Sequence, residues 1–331
     1  TRSWSAATPR RSALWQSDGT AAGTRRVLEL QGSAAKLTAF NDGLVFSLSL
    51  GERQAIYRVN SAPVEEATLL LDDARLRSDF VELRDSLYFL AKKQGGALRL
   101  WTTDGSPEGT RSVVLLAPGI SNQAPIWLVA TDDRLFAGFT NSSQQSQLWA
   151  SDGSDAGTSV LLALEASDKR CLIPVACTTQ RLVFAVSEDD ALAGWASDGA
   201  KAGTQPLGVG IASGVGAAAV LEDTVYFCGR DANSGKELWR TDGTLQNTRL
   251  VKDIFPGNEG SYPERLTSSF DGLLWTDHVR QGDILHLNVA ERQFRWAVRA
   301  GGGFSLSSEP FLEADGKIYY SWADRLLMSH R

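Results

Sequence analysis

Residues 238–248 read LWRTDGTLQNT, and residues 14–24 read LWQSDGTAAGT. The phrase returns as LWTTDGSPEGT at 100–110, LWASDGSDAGT at 148–158 and GWASDGAKAGT at 194–204. Self-similarity at a fixed period marks a fold assembled from equivalent units. Taking the Trp of each phrase as its anchor, and admitting degenerate copies, gives Trp15, Tyr57, Trp101, Trp149, Trp195, Trp239, His286 and Leu327. Successive anchors lie 41 to 48 residues apart. That period suits a propeller blade of four short strands or a helical repeat of similar length.

The residues between anchors choose between these. Ahead of the phrases stand seven pairs of apolar, β-branched and aromatic runs broken by a turn. Examples are LTAFNDGLVFSLS (37–49), VACTTQRLVFAVS (175–187) and FLEADGKIYYSW (311–322). Asp-Gly, Asp-Asp and Asn-Asp-Gly between such runs are hairpin signals, and no sustained helical stripe competes with them. Each unit therefore reads as strand A, turn, strand B, loop, strand C carrying the anchor, the SDGT turn, then strand D. The predicted fold is all-β: a single domain over residues 1–331 forming a seven-bladed β-propeller of four-stranded antiparallel blades. The chain opens on a C–D pair and closes on an A–B pair, so the last blade is expected to combine N- and C-terminal strands, which removes exposed sheet edges. The segment RLLMSHR (325–331) looks like a further strand C. Either it extends the closing blade or the N-terminal hairpin is displaced outward.

The phrase and its period resemble those of the bacterial ELWxSDGT-repeat proteins, best over residues 237–269 and weakest at the Tyr57 and His286 copies, which lack SDG. The resemblance covers nearly the whole chain. It implies a β-propeller and an exported setting, secreted, periplasmic or at the cell surface, and it implies little about activity.

Composition narrows the function. Thirty-three Lys and Arg against 39 Asp and Glu give a net charge of −6, which argues against a nucleic-acid partner held by bulk charge. No apolar run reaches the ~18 residues of a membrane span, and the chain begins at Thr1, which leaves open a removed targeting segment. Cys171 and Cys177 lie in a stretch read as strand, where six residues cover about 20 Å. A disulfide needs Cα atoms within ~7 Å, so the three cysteines are expected to be unpaired.

The repeated Asp invites a ligand reading, but the turn itself can use it. Asp accepts from backbone amides, Gly supplies a positive φ, and Thr closes the turn. The Asp boxes of sialidase-type propellers resemble this layout. Calcium needs six or more converging oxygens, and one Asp per turn does not supply them. Asp18, Asp104, Asp152, Asp198 and Asp242 are therefore read as structural, and each Trp as packing between blades.

Function is expected on the B–C and D–A loops, which vary in length and charge. The candidate ligand-binding residues there are Arg77, Asp79, Lys169, Arg170, Glu188, Asp189, Arg230, Asp231, Glu259 and Tyr262. Their mixed signs suit a protein or glycan partner better than a phosphate-rich one. His278 and His286 would face each other across strands if their turn centred on Gly282, but no HExxH or CxxC supports a metal, and no metal or cofactor is expected. No GxSxG elbow or phosphate loop occurs. The sequence thus reads as a binding or interaction module. The alternative is a propeller hydrolase or lyase with carboxylates lining an axial funnel, SEDD (187–190) or Glu259 with Glu264. A spacer repeat within a larger surface protein is a third reading. Oligomeric state is left open.

Overall fold

Turn residues between apolar runs produce antiparallel hairpins throughout the chain. The computed structural model describes residues 12–331 apart from 61–65, 121–125, 167–169, 189–190, 212–217, 270–271, 278–282, 289–292, 299–311, 315–316, 323–324 and 330–331. Among the described residues there are thirty strands and no helix.

The first sheet is a hairpin of β1 (Ser12–Gln16) and β2 (Arg25–Leu30). The second runs in order through β3 (Ser33–Phe40), β4 (Gly43–Leu50), β5 (Arg53–Asn60) and β6 (Thr68–Leu71). In the third, β7 (Ala74–Leu76) and β8 (Val81–Leu83) both pair with β9 (Ser86–Lys93), which is followed by β10 (Leu98–Thr103) and β11 (Arg111–Ala117). The fourth holds β12 (Trp127–Ala130), β13 (Leu135–Thr140), β14 (Ser146–Ser151) and β15 (Ser159–Ala163).

Next come β16 (Leu172–Cys177), β17 (Leu182–Glu188), β18 (Ala191–Ser197) and β19 (Gln205–Ile211). They are joined to β20 (Ala218–Leu221), β21 (Thr224–Arg230), β22 (Glu237–Thr241) and β23 (Arg249–Lys252) where β19 pairs briefly with β21. A four-stranded sheet of β24 (Pro263–Ser269), β25 (Gly272–Asp277), β26 (Asp283–Asn288) and β27 (Gln293–Val298) follows. The last sheet has three strands, β28 (Leu312–Ala314), β29 (Lys317–Trp322) and β30 (Arg325–Ser329). The chain divides into two compact units, residues 1–145 with 149–159, and residues 146–148 with 160–331.

Within each unit the apolar cores lie between consecutive sheets. Phe40, Val45 and Ile56 of the second sheet pack with Leu87 and Phe89 of the third. Leu90, Leu98 and Leu100 of the third pack with Leu128, Leu135 and Phe139 of the fourth. In the other unit Val183 and Ala185 share a core with Val225 and Phe227, and Tyr226 and Leu238 share one with Leu266, Leu273 and Trp275. Neighbours Phe89 and Leu90 serve different cores, as do Tyr226 and Phe227, because successive strand residues point to opposite faces. Strand B of a unit is thus covered on both sides, and all six residues of β13 are buried.

All eight sequence anchors fall on strand C of their units. Four of them pair with a Phe of strand B across the ladder: Tyr57 opposite Phe46, Trp101 opposite Phe89, Trp195 opposite Phe184, Trp239 opposite Phe227. Trp149 stacks on Phe139 with ring centroids 6.4 Å apart. In the degenerate copies the ladder pairs Leu274 with His286 and Tyr320 with Leu327. On the other side a register shift interrupts the C–D ladder at Trp15, Tyr57, Trp101, Trp195 and Trp239. An extra residue there increases local twist. Trp15 has no strand B in its two-stranded sheet and stays 65% exposed.

The closing sheet departs from expectation. β30 pairs with β29, so the third strand comes from the C-terminus, and β1 pairs with β2 alone. β29 and β30 are two residues apart in sequence, and a connection so short costs less chain entropy to close than pairing with a distant hairpin. Among the described residues no ladder joins β1 or β2 to the last sheet, and strand A of the third sheet is split into β7 and β8.

Phe227 is fully buried and faces Trp239. Phe227→Ala is expected to lower stability by about 3–5 kcal/mol, read as a shift in urea midpoint. A loss near zero would contradict the cross-strand pair as a core element.

Candidate functional site

The repeated phrase forms one turn five times. In its second copy Asp104 Oδ1 accepts from Ser106 N at 2.8 Å and from Ser106 Oγ at 2.7 Å. Ser106 Oγ accepts from Gly109 N, and Thr110 Oγ1 donates to Ser106 O. Thr103 and Thr110 hydroxyls meet at 2.7 Å, and Thr103 Oγ1 accepts from Gly105 N. The copies at Asp18, Asp152 and Asp242 repeat these bonds. At Asp198 the missing hydroxyl of Ala200 is replaced by a backbone bond from Gly203 N to Ala200 O. Gly19, Gly105, Gly153, Gly199 and Gly243 all adopt φ between +86° and +93°. A Cβ on Gly109 would lie 2.1 Å from Asp104 Oδ1. Each carboxylate thus serves its own turn.

Neighbouring side chains brace these turns. Arg58 Nη1 donates to Gly105 O at 3.2 Å, and the Arg181 guanidinium lies 3.6 Å from Asp198 Oδ2. Hydrogen bonds from the Ser106 and Ser154 side chains and amides hold Asp104 and Asp152 below the ordinary carboxylate value of 3.8. For Asp242, burial pushes upward but the Thr244 and Asn247 bonds outweigh it. A value depressed on folding stabilises the native state above the unfolded pKa, and the benefit is lost as pH falls through the folded value. The melting temperature should therefore fall steeply below about pH 4. The double variant Asp104→Asn, Asp152→Asn should show a shallower acid limb, and an unchanged limb would refute this assignment.

At the other end of the sheets, several predicted ligand residues prove to be engaged. Asp231 Oδ1 accepts from Asn233 N, Ser234 N and Ser234 Oγ, closing the 231–234 turn. The Lys236 ammonium lies 5.0 Å from the Tyr262 ring centre. Glu259 is exposed on a loop held by Glu237, a residue the sequence reading did not select. Glu237 is fully buried, and its carboxylate accepts from Ile254 N, Phe255 N and Ser261 N at 3.0–3.2 Å, and from Ser261 Oγ. The only signal for it was the E of the ELW phrase, present in one copy of five. Glu237→Ala strands three backbone donors and should cost about 3 kcal/mol or more. Limited proteolysis should then cut within 253–262, and resistance equal to wild type would count against the clamp.

In the first unit the loops do converge. A cavity of about 1000 Å³ lies between the B–C turns of the second and third sheets and β7. Its lining is Gly51, Glu52, Arg53, Gln54, Asp73, Arg75, Arg77, Lys92, Lys93, Gln94 and Gly95. Residues read as a D–A loop form strand here, because β7 pairs with β9 and Arg77 N donates to Leu90 O at 2.8 Å. Arg75 stands directly opposite Lys92. Arg53 is paired with Asp72, and Lys93 lies over the Trp101 ring at 5.6 Å. Arg77 is half-buried, and burial, then the neighbouring Arg75 charge, push its guanidinium below the usual value. Asp79 is ion-paired with Lys36. Of the predicted residues only Arg77 lines this cavity. Arg53, Lys92 and Lys93 were missed, although they flank the B–C turns at the ends of β5 and β9, because their convergence is tertiary.

Lys169 and Asp189 lie outside the described residues, as does His278. Glu188 ends β17, and Arg230 ends β21 opposite Gly210. Arg170 O accepts from Ser146 Oγ. The register that would oppose the two histidines is not the one found: Asp277 pairs with Asp283, so the ladder is not centred on Gly282, and His286 pairs with Leu274. Among the described residues no three His, Cys, Asp or Glu gather as a metal site. Cys171, Cys177 and Cys228 are free, and burial raises Cys177 to about 11 and Cys228 to about 12. No helix among the described residues is long and apolar enough to cross a membrane.

No family model matches the chain, and no curated protein matches it in sequence. Among solved structures it superposes on a prolyl endopeptidase with a TM-score of 0.50 at 9% identity, over 90% of this chain and 49% of that one. Oligopeptidase B from Leishmania major gives 0.47 at 12% identity, over 92% and 48%. The β-propeller domain of the Trilobed protease from Pyrococcus furiosus gives 0.42 at 10%, over 89% and 96%. The chain spans about half the length of the two peptidases. At such identities the likeness is one of fold alone: an all-β chain of consecutive antiparallel sheets with β-propeller neighbours.

Proposed function

We propose that this chain is a binding module, a seven-bladed β-propeller of the ELWxSDGT-repeat kind over residues 1–331, recognising a protein or glycan on the B–C ends of its sheets. Seven A–B and seven C–D hairpins support the count. The exposed Trp15, the anchor without a strand-B partner, supports a closing blade shared between the N-terminal hairpin and the last three strands. Kinship with that family would carry with it an exported or cell-surface setting.

One contrast carries the binding reading. At the C–D ends the repeated carboxylates are taken up by their own turns. At the B–C ends of the first unit, cations line a cavity and, among the described residues, Arg75, Arg77 and Lys92 have no carboxylate partner. Carboxylates near the B–C ends, Asp72, Asp231 and Glu237, are held in an ion pair, a turn cap and a loop clamp. Such engagement suits scaffold rather than acid–base work, so binding is preferred to hydrolysis.

The test is a glycan and protein-partner screen on three proteins. Wild type should capture a partner, and a variant with Arg77, Arg170 and Arg230 changed to Ala should lose it. Asp242→Ala should retain capture while losing about 1 kcal/mol of stability. Capture abolished by Asp242→Ala with unaltered melting would overturn the reading.

A further inference from the structure

We propose that the cavity beside β7 and β9 is a subsite for an acidic oligosaccharide, whose carboxylate or sulfate groups lie against Arg75, Arg77 and Lys92. This rests on the binding reading and names a ligand class for one part of that surface.

Folding alone does not account for the charge placement. Arg75 and Lys92 are directly opposed across the β7–β9 ladder, and like charges so placed destabilise a sheet. Arg77 is two residues from Arg75, so it projects from the same face. One Glu among the three would have relieved the repulsion, and none is present. The lining holds five cations against two carboxylates in a chain of net charge −6. Arg53 and Lys93 already have Asp72 and Trp101 as partners, and Arg75, Arg77 and Lys92 form no ion pair among the described residues, although Glu52 and Asp73 share the lining.

The rest of the lining selects the class of anion. It consists of charged residues, the amides of Gln54 and Gln94, and glycines, without one aliphatic or aromatic side chain. A peptide partner draws its affinity from apolar anchors seated in pockets, and nothing here would receive them. A nucleic acid would find no stacking platform and would meet a net negative protein. A sugar acid matches each component. Guanidinium forks hold planar or tetrahedral oxyanions through paired bonds, while Glu52, Asp73 and the two amides accept from or donate to hydroxyls. The volume of about 1000 Å³ accommodates several rings.

The experiment titrates the intact chain by calorimetry with a uronate oligosaccharide, a sulfated oligosaccharide, a neutral oligosaccharide of equal length and a single-stranded oligonucleotide. Wild type is expected to bind one or both acidic sugars, and those two arms separate carboxylate from sulfate. The double variant Arg75→Gln, Lys92→Gln should weaken that binding on the order of 10- to 100-fold, while melting at or above the wild-type temperature because the like-charge pair is gone. Arg77→Gln should weaken it as well, and Arg249→Gln, at an exposed position of β23, should not. Binding unaffected by the double variant, or equal binding of the oligonucleotide, overturns the proposal. So does failure of both acidic sugars. If wild type then still captures a neutral glycan or a protein, the module reading survives without this subsite. If it captures nothing at all, both fall.

Discussion

A sheet of four short antiparallel strands has two faces, and its central strands are apolar on both. No such sheet can hide both faces by itself, so it must be covered by the sheets that precede and follow it in sequence. This constraint is visible at Phe89 and Leu90, adjacent residues of β9 that enter separate cores. It recurs at Tyr226 and Phe227 of β21. Strand B therefore reads as an unbroken apolar run, as a strand buried on both faces does. The aromatic of strand C then lies against the Phe of strand B, stacked in the Phe46–Tyr57 pair and tilted in the Phe184–Trp195 pair. The period of the sequence is the period of this layer.

The two ends of each sheet solve different problems. The C–D turn must reverse the chain beside a large aromatic, and it does so with a set of bonds that closes upon itself. Its Asp, its hydroxyls and its Gly leave little over for a ligand. The B–C turns carry no such shared chemistry. Where they come together in the first unit, the cations are arranged against the interest of the sheet, with Arg75 opposed to Lys92. A structural rule broken locally, on a scaffold that obeys it elsewhere, is the physical mark of a site selected for something other than folding.

The second unit shows the opposite outcome from similar raw material. Its loop 253–262 contains Glu259 and Tyr262, chosen from sequence as ligand residues. The buried Glu237 carboxylate gathers three amides of that loop, and Lys236 lies over the Tyr262 ring. Charge in a variable loop is thus no sufficient sign of recognition. What separates the two cases is whether the charged groups find partners within the fold.

The sequence by itself determined the strands, their order and the role of the repeated phrase. Those features depend on local chemistry: Asp-Gly reverses a chain, alternating apolar runs form strands, and an Asp two residues before a hydroxyl amide caps it. It also placed every anchor on strand C, because period and register are properties of one unit. Tertiary structure decided the rest. It turned Arg75 and Leu76 from loop into the end of a strand, moved His286 opposite Leu274, and gave the last sheet β30 in place of β1. It alone assembled Arg53, Arg75, Arg77 and Lys92 from three separate segments, since convergence across sheets depends on how layers stack and leaves no trace in spacing along the chain.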